Sequence, residues 1–585
     1  MSKPAGGNWW WALGMPASFL AISFLFTLPL WLGHEPRLLG YGEDTAMHLW
    51  FLRWFPFALT HGRNLFVTDA TTYPHAVNLL WNNANLVLAF LSWPLLTLVG
   101  GAVGINLIYV LLLACASAGT AGVLRSRVSH ASSAWVGGLL VGFSPFTLSE
   151  LSAGHLTWVT TATLPLGWWV GERTLQAVRA RHHRVRWGMA SGGWVVLQFW
   201  FSKELLATTM LMLVLLGAVY CLRGGWRHLD WLVRHGFVAA VAAAVVTVAL
   251  MAYPLMDLIT GSAALNRPSL TAPGQYVADL LSFIVPGSSQ LLLPGVASAI
   301  SNHFTGLFVE TDGYLGLPLV ALAIWVATRL RRDPLVAFGS WCAGFAALLS
   351  LGPWLHIGGH RLSIPLPWLV LLHLPVYAKA VPSRVLIFVV IGVACLLAAG
   401  WDRLVPKLRP SARAATVAIL FVPLLPSLGI VQGIAGFPVT LPPVLASRQL
   451  LSLPQGSVIM TLPIGTRVNH GLAMFWQAES DFRFVQPFGF LLHPGPGGIT
   501  TPFNYPSPLE RLFHGLTVGT SVSGQTSPGA LRAQFRAWRV AAVVVMPGRD
   551  FSRDVQVLNA VLVRKPEVID GAAVWLQPGG PAHPD

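Results

Sequence analysis

Glu43 and Asp44 are adjacent carboxylates that follow closely on the first hydrophobic run, and an aromatic-rich segment begins directly after them. A carboxylate beside a reacting carbon, in a site that excludes bulk water, acts as general base toward a hydroxyl. Trp50, Trp54 and Phe57 recur at helical spacing, which predicts a short helix lying in the membrane interface. Asp44 stands at the start of that helix, where it either carries out acid-base chemistry or caps the helix. The two roles are compatible, because a cap fixes the carboxylate in place. Adjacent side chains diverge at a helix start, so one of the Glu43–Asp44 pair faces the site. His48, four residues on, shares the Asp44 face and is placed to orient it, or is an ordinary interfacial histidine.

Further groups have the right chemistry for a sugar or a phosphate. Asp69 is suited to a sugar hydroxyl, a metal or an Asx turn. Glu310 and Asp312 precede an apolar run and form a second acidic wall, a hard-oxygen metal site or a helix cap. A divalent cation, Mg or Mn, is the cofactor such acids would take. Lys203 and Glu204 interrupt an apolar hairpin, and charges at membrane depth are either paired or serve a ligand. Arg384, with Lys379, opens a later helix, where a guanidinium can grip a lipid-linked phosphate or snorkel to ordinary lipid. Glu150 and His155 flank a short turn and line the site or face water. No nucleotide loop, serine-nucleophile elbow or zinc-type histidine motif is present.

The elements that hold these groups are membrane helices. Hydrophobic residues make up 54% of the 585 and charged residues 10%, with a mean hydropathy of +0.62, which excludes a soluble globular chain. The net charge of +15 comes from basic clusters between apolar runs, so membrane orientation explains it and nucleic acid is not a partner. Cys115, Cys221, Cys342 and Cys395 lie in or beside apolar runs, without metal spacing or a disulfide framework. The first run, Trp9 to Gly33, lacks a small-residue cleavage site and is expected to be a retained helix.

The arginine clusters set the topology. Those at Arg125/Arg127, Arg179–Arg186, Arg223–Arg234, Arg329–Arg332 and Arg403–Arg413 all fall in the cytoplasm if Leu86–Val99, broken by Pro94, only dips into the membrane. If it crosses, all of them fall outside. Spans are then expected at Ala102–Leu124, Ala131–Ser149, Leu156–Val178, Trp187–Ser202, Leu205–Cys221, His235–Leu258, Gly313–Thr328, Leu335–Leu351, Val385–Trp401 and Ala414–Ile434. With the first helix this makes about eleven. Residues 34–85 form the first outer loop, and Glu43, Asp44, Asp69, Glu150, Asp279, Glu310 and Asp312 all gather outside. The membrane domain covers 1–435. Beyond it, residues 436–585 alternate short apolar and polar stretches (Ser457–Leu462, Val540–Met546, Ala573–Leu576), which predicts a small extracytoplasmic α/β domain.

An acidic residue in the first outer loop, an aromatic helix after it, many spans and an external C-terminal domain together resemble the GT-C superfamily of polyprenyl-phosphate-dependent membrane glycosyltransferases. Gly42 to Asn78 and Pro375 to Arg384 look most like bacterial, particularly actinobacterial, members. Those members carry Asp-Asp, Asp-x-Asp or Asp-Glu in the first loop, where this chain has Glu43-Asp44. The resemblance implies an inverting transfer from a polyprenyl-phosphate sugar to a glycan, lipid or protein of the cell envelope, on the outer face of the bacterial cytoplasmic membrane. Asp44 would be the acid-base residue and Arg384 a donor-phosphate ligand. The rival readings are a flippase of lipid-linked sugars, which would need charges lining a path through the spans, and a non-catalytic scaffold, which would have no polar cleft beneath Asp44.

Overall fold

Where apolar runs exceed the thickness of a bilayer, the chain forms long helices. The computed structural model describes residues 10–40, 43–82, 84–260, 267–268, 274–287, 290, 295–306, 313–374, 376–421, 434–464, 471–494, 499–501, 507–520 and 527–579. Among them, helices long and apolar enough to cross a membrane occupy Gly101–Arg125, Ala131–Ser152, Lys203–Gly224, Val233–Leu258 and Pro382–Lys407. Shorter apolar helices occupy Met15–Phe26, Leu86–Val99, Leu317–Arg329 and Pro334–Ser350. The protein is a multi-pass membrane protein. Several expected spans take a different form. Leu156–Val178 is interrupted by a 3-10 turn at Thr160–Ala162, and Ala131–Ser149 is divided at Ser144, which caps a new helix begun by Pro145. Of Ala414–Ile434, residues 422–433 lie outside the described residues. The Leu86–Val99 helix has 14 residues, about 21 Å of rise, too short to cross a hydrocarbon layer of about 30 Å alone.

The chain divides into two compact units. The helical unit comprises Met1–Gly33, Asn106–Ala252 and Thr271–Gly436. Its centre is the helix Leu386–Arg403, almost wholly buried, which packs against Pro334–Ser350 and Ala131–Phe143. Small residues let these backbones approach. A Cβ on Gly392 would lie 2.6 Å from the Ala343 amide nitrogen and the Gly339 carbonyl. In hydrocarbon, where association depends on van der Waals packing, such close faces hold helices together.

The mixed unit comprises His34–Ile105, Tyr253–Leu270 and Phe437–Asp585. Its sheet runs Glu567–Ile569, Ala572–Leu576, Val540–Val545, Ser457–Leu462, Phe484–Val485. The first three strands are antiparallel neighbours and the last three parallel ones. Met460, Val543 and Trp575 from the sheet meet Phe513, Phe535 and Leu558 from the flanking helices in one core. The first loop belongs to this unit: Arg37–Leu38 pairs antiparallel with Phe437–Pro438, and the helix Asp44–Thr60 packs on Leu472–Glu479.

This unit also has a pH-sensitive position. Burial, with the charge of His75 nearby, pushes the His493 imidazole down to about 4. Its Nδ1 is buried without a hydrogen-bond partner among the described residues. The unfolded chain takes up this proton near pH 6.5, and the folded unit does not. Stability is therefore full above about pH 6.5 and declines as the pH falls toward 4. Melting temperatures across that range should show the decline, and His493→Gln should lessen it.

Candidate active site

Glu43 and Asp44 begin the Asp44–Thr60 helix of the mixed unit. Glu43 is its N-cap residue, makes no side-chain capping bond and is 5% exposed; Asp44 is the first helical residue and is half-buried. The two carboxylates thus occupy unequal environments, and Asp44 is the one a substrate can reach more easily. The preceding loop is held by Thr45, whose hydroxyl donates to the Leu39 carbonyl at 2.7 Å. Gly471, at φ +69°, lies against the helix start: a Cβ there would come within 3.3 Å of Glu43 and Ala46.

The aromatic face of this helix is not in the membrane interface. Trp50, Trp54 and Phe57 are 0%, 3% and 8% exposed, and each ring packs against Phe482. The indole of Trp50 donates to Gln477 Oε1 at 2.7 Å, so the side chains that suggested membrane contact seat the helix on the C-terminal segment instead. Trp and Tyr favour any boundary with a polar acceptor beside an apolar surface, and an internal one satisfies that preference as well as lipid does. His48 is buried, with Nδ1 3.2 Å from Asn85 Nδ2. Asp69 is exposed on the rim of a pocket of about 250 Å³, with Trp54, Phe57, Asn64, Gln455 and Phe482 among its walls.

The helical unit brings Glu204, next in the chain to Lys203, together with Arg384, and sets Trp158, three residues after His155, beside the same guanidinium. Glu204 Oε2 accepts from Arg384 Nη1 at 2.7 Å, and its Oε1 accepts from the Val381 amide at 2.7 Å. The charges flagged in the apolar hairpin are thus partly paired. The Arg384 guanidinium lies 5.6 Å from the centre of the Trp158 ring, and the Lys203 ammonium 5.6 Å from that of Phe199. One turn before Trp158, His155 Nδ1 is 2.6 Å from Glu150 Oε2, and Glu150 is 1% exposed. Glu150 and His155 therefore pair in the interior and do not face water.

Glu310 and Asp312 lie outside the described residues, as does the Lys379 side chain. Among the described residues no group of three His, Cys, Asp or Glu side chains is gathered as metal ligands. Sequence reading missed Trp158, Gln477 and Gly471, which touch the candidate groups across the fold. No local pattern marks such contacts, because the partners of Gln477 and Gly471 lie some four hundred positions away.

No protein-family model matches the sequence, nor does any curated protein. Solved structures do match its fold. The mycobacterial arabinofuranosyltransferase AftD, in a mutant form, superposes with a TM-score of 0.54 at 15% identity, over 93% of this chain and 37% of its own. A second AftD structure gives 0.51 at 14%, over 91% and 35%. ArnT from Cupriavidus metallidurans bound to undecaprenyl phosphate gives 0.48 at 13%, over 97% and 100%. The chain spans little more than a third of the AftD length. Its fold is that of the GT-C glycosyltransferases, as its sequence resemblance implied.

Proposed function

We propose that this chain is a membrane glycosyltransferase that moves a sugar from a polyprenyl-phosphate donor to an extracytoplasmic glycan, lipid or protein of the cell envelope, with inversion. The observation that carries this reading is a half-buried carboxylate, Asp44, at a helix start seated against the protein interior, in a chain with a GT-C fold. Asp44 takes the proton of the acceptor hydroxyl as its oxygen attacks the anomeric carbon. The bond from that carbon to the phosphate oxygen breaks on the opposite face, and polyprenyl phosphate leaves with the electron pair. Phosphate is a good leaving group, so a base and cations that stabilise the departing oxyanion are sufficient. Arg384, with Lys203 and Lys379, supplies those cations, and Glu204 fixes the direction of Arg384. Glu43 supports the helix start, Asp69, Glu310 and Asp312 contribute to binding the sugars, and the buried His48 and half-buried His155 act through the residues they hold in place. Active site and C-terminal segment face the outside of the bacterial cytoplasmic membrane.

The test is transfer of label from polyprenyl-phosphate sugars into membrane acceptors by membranes containing the protein, with release of polyprenyl phosphate. Transfer from nucleotide sugars alone would overturn the reading. Within the same assay, Arg384→Ala should lower donor use by about 10- to 100-fold, the worth of a charge-assisted contact. It also leaves the Glu204 carboxylate facing the donor phosphate, so adding Glu204→Gln should recover part of the loss. An unchanged kcat/KM for the donor in Arg384→Ala would remove Arg384 from the site.

A further inference from the structure

At the end of the helical unit opposite Arg384 lies a large cavity to which the transfer chemistry assigns no role. The central helix carries Arg384 just before its first turn and Arg403 in its last. Its 18 residues rise about 27 Å, close to the thickness of a hydrocarbon layer. The cavity, about 1290 Å³, takes its charges from Arg127, Arg173, Arg179 and Arg403, with Glu172 and Asp333 as its acids. Arg127 pairs with Glu172, and Arg403 Nη1 lies 2.8 Å from Asp333 Oδ2. Among the described residues no carboxylate pairs with Arg173 or Arg179, and both are exposed.

One wall of the cavity is graded. On the helix Thr163–Ala180, Leu166, Trp169 and Arg173 line it at intervals of three and four that keep them on one face, and Arg179 lines it from the last turn. Leu166 and Trp169 are 41% and 43% exposed, a bare apolar surface on a membrane helix. The arginines follow toward the helix end, and Arg173 stacks its guanidinium 5.7 Å from the Trp169 ring centre. A ligand that satisfies this wall has an acyl chain on one side and an anionic group on the other. Basic pockets between membrane helices at the cytoplasmic side hold anionic headgroups for this reason.

We propose that this cavity binds an anionic phospholipid, with its phosphodiester on Arg173 and Arg179 and its chains along Leu166 and Trp169. The site is separate from the sugar-transfer reading, and failure of either leaves the other standing. The experiment is native mass spectrometry of the full-length protein in detergent with short-chain phosphatidylglycerol, short-chain phosphatidylcholine or inorganic phosphate. Phosphatidylglycerol should bind about tenfold or more tighter than phosphatidylcholine. The pair Arg173→Gln/Arg179→Gln should lose about 25-fold of that affinity, about fivefold for each arginine. Arg173→Lys/Arg179→Lys should keep the preference, which separates charge from misfolding. Equal binding of the two lipids, or phosphatidylglycerol binding indifferent to the Gln pair, overturns the proposal. Displacement of the lipid by inorganic phosphate at matching concentration would overturn it in favour of a free-phosphate site.

Discussion

Asp44→Asn is expected to lower sugar transfer by about 10²- to 10⁴-fold, the usual contribution of a positioned general base, and to leave the protein folded. The substitution keeps the shape of the side chain and removes its basicity. It gives up the favourable interaction of a first-turn carboxylate with the helix dipole, about 0.3–1 kcal/mol. Expression and melting temperature should therefore stay close to wild type, and the fall should appear in kcat more than in the donor KM. Glu43→Gln is the matched control. Glu43 is 5% exposed and Asp44 half-buried, so the two substitutions act on different environments at neighbouring positions. A structural role predicts that Glu43→Gln destabilises the helix start while retaining measurable turnover. Full activity in Asp44→Asn would reject the assignment, and a far larger kcat loss in Glu43→Gln would transfer the base to Glu43.

What was legible in the sequence was what depends on short-range patterns. The apolar stretches read at Ser457–Leu462 and Val540–Met546 form strands at Ser457–Leu462 and Val540–Val545, because short β-branched and apolar runs bounded by turn residues have few other uses. The helix after Asp44 was legible from its spacing, and the GT-C fold from its loop-and-span architecture. The destination of the aromatic face was not. Trp50 and Trp54 have the same periodicity whether they meet lipid or Phe482, and only the tertiary fold distinguishes the two. The charges within apolar stretches were a better guide. Lys203-Glu204 demanded partners, and Glu204 found Arg384, itself singled out for another reason, 180 positions away. Span boundaries were weakest where helices change direction within an apolar run, as at Ser144 and Thr160–Ala162, since hydropathy averages over such breaks.

The second large effect falls on Gln477, and Gln477→Leu is expected to destabilise the mixed unit by about 3–5 kcal/mol. Gln477 is fully buried and uses both ends of its amide. Its Oε1 accepts from the Trp50 indole at 2.7 Å, and its Nε2 donates to the Ala70 carbonyl at 2.6 Å and the Phe484 carbonyl at 2.8 Å. One side chain thus joins the Asp44 helix, the first loop and the edge strand of the sheet. Leucine fills the space but orphans the Trp50 N–H outright and takes a donor from Phe484. Ala70 suffers less, since its carbonyl also accepts from the Gln486 amide. In a unit of this size the loss should lower the melting temperature on the order of 10 °C. It should also speed hydrogen exchange along Asp44–Thr60, the helix that Trp50 anchors. Gln477→Glu gives an independent check. Glutamate can still accept from Trp50, but as a carboxylate it faces two carbonyl oxygens to which it cannot donate. Protonation supplies one donor, so this variant should regain stability as the pH falls, whereas the leucine variant should not. If Gln477→Leu melts within about 2 °C of wild type, the amide is not what holds the Asp44 helix to the C-terminal segment, and the placement of Asp44 must rest on its other contacts, the packing on Phe482 and the Arg53–Glu479 ion pair among them.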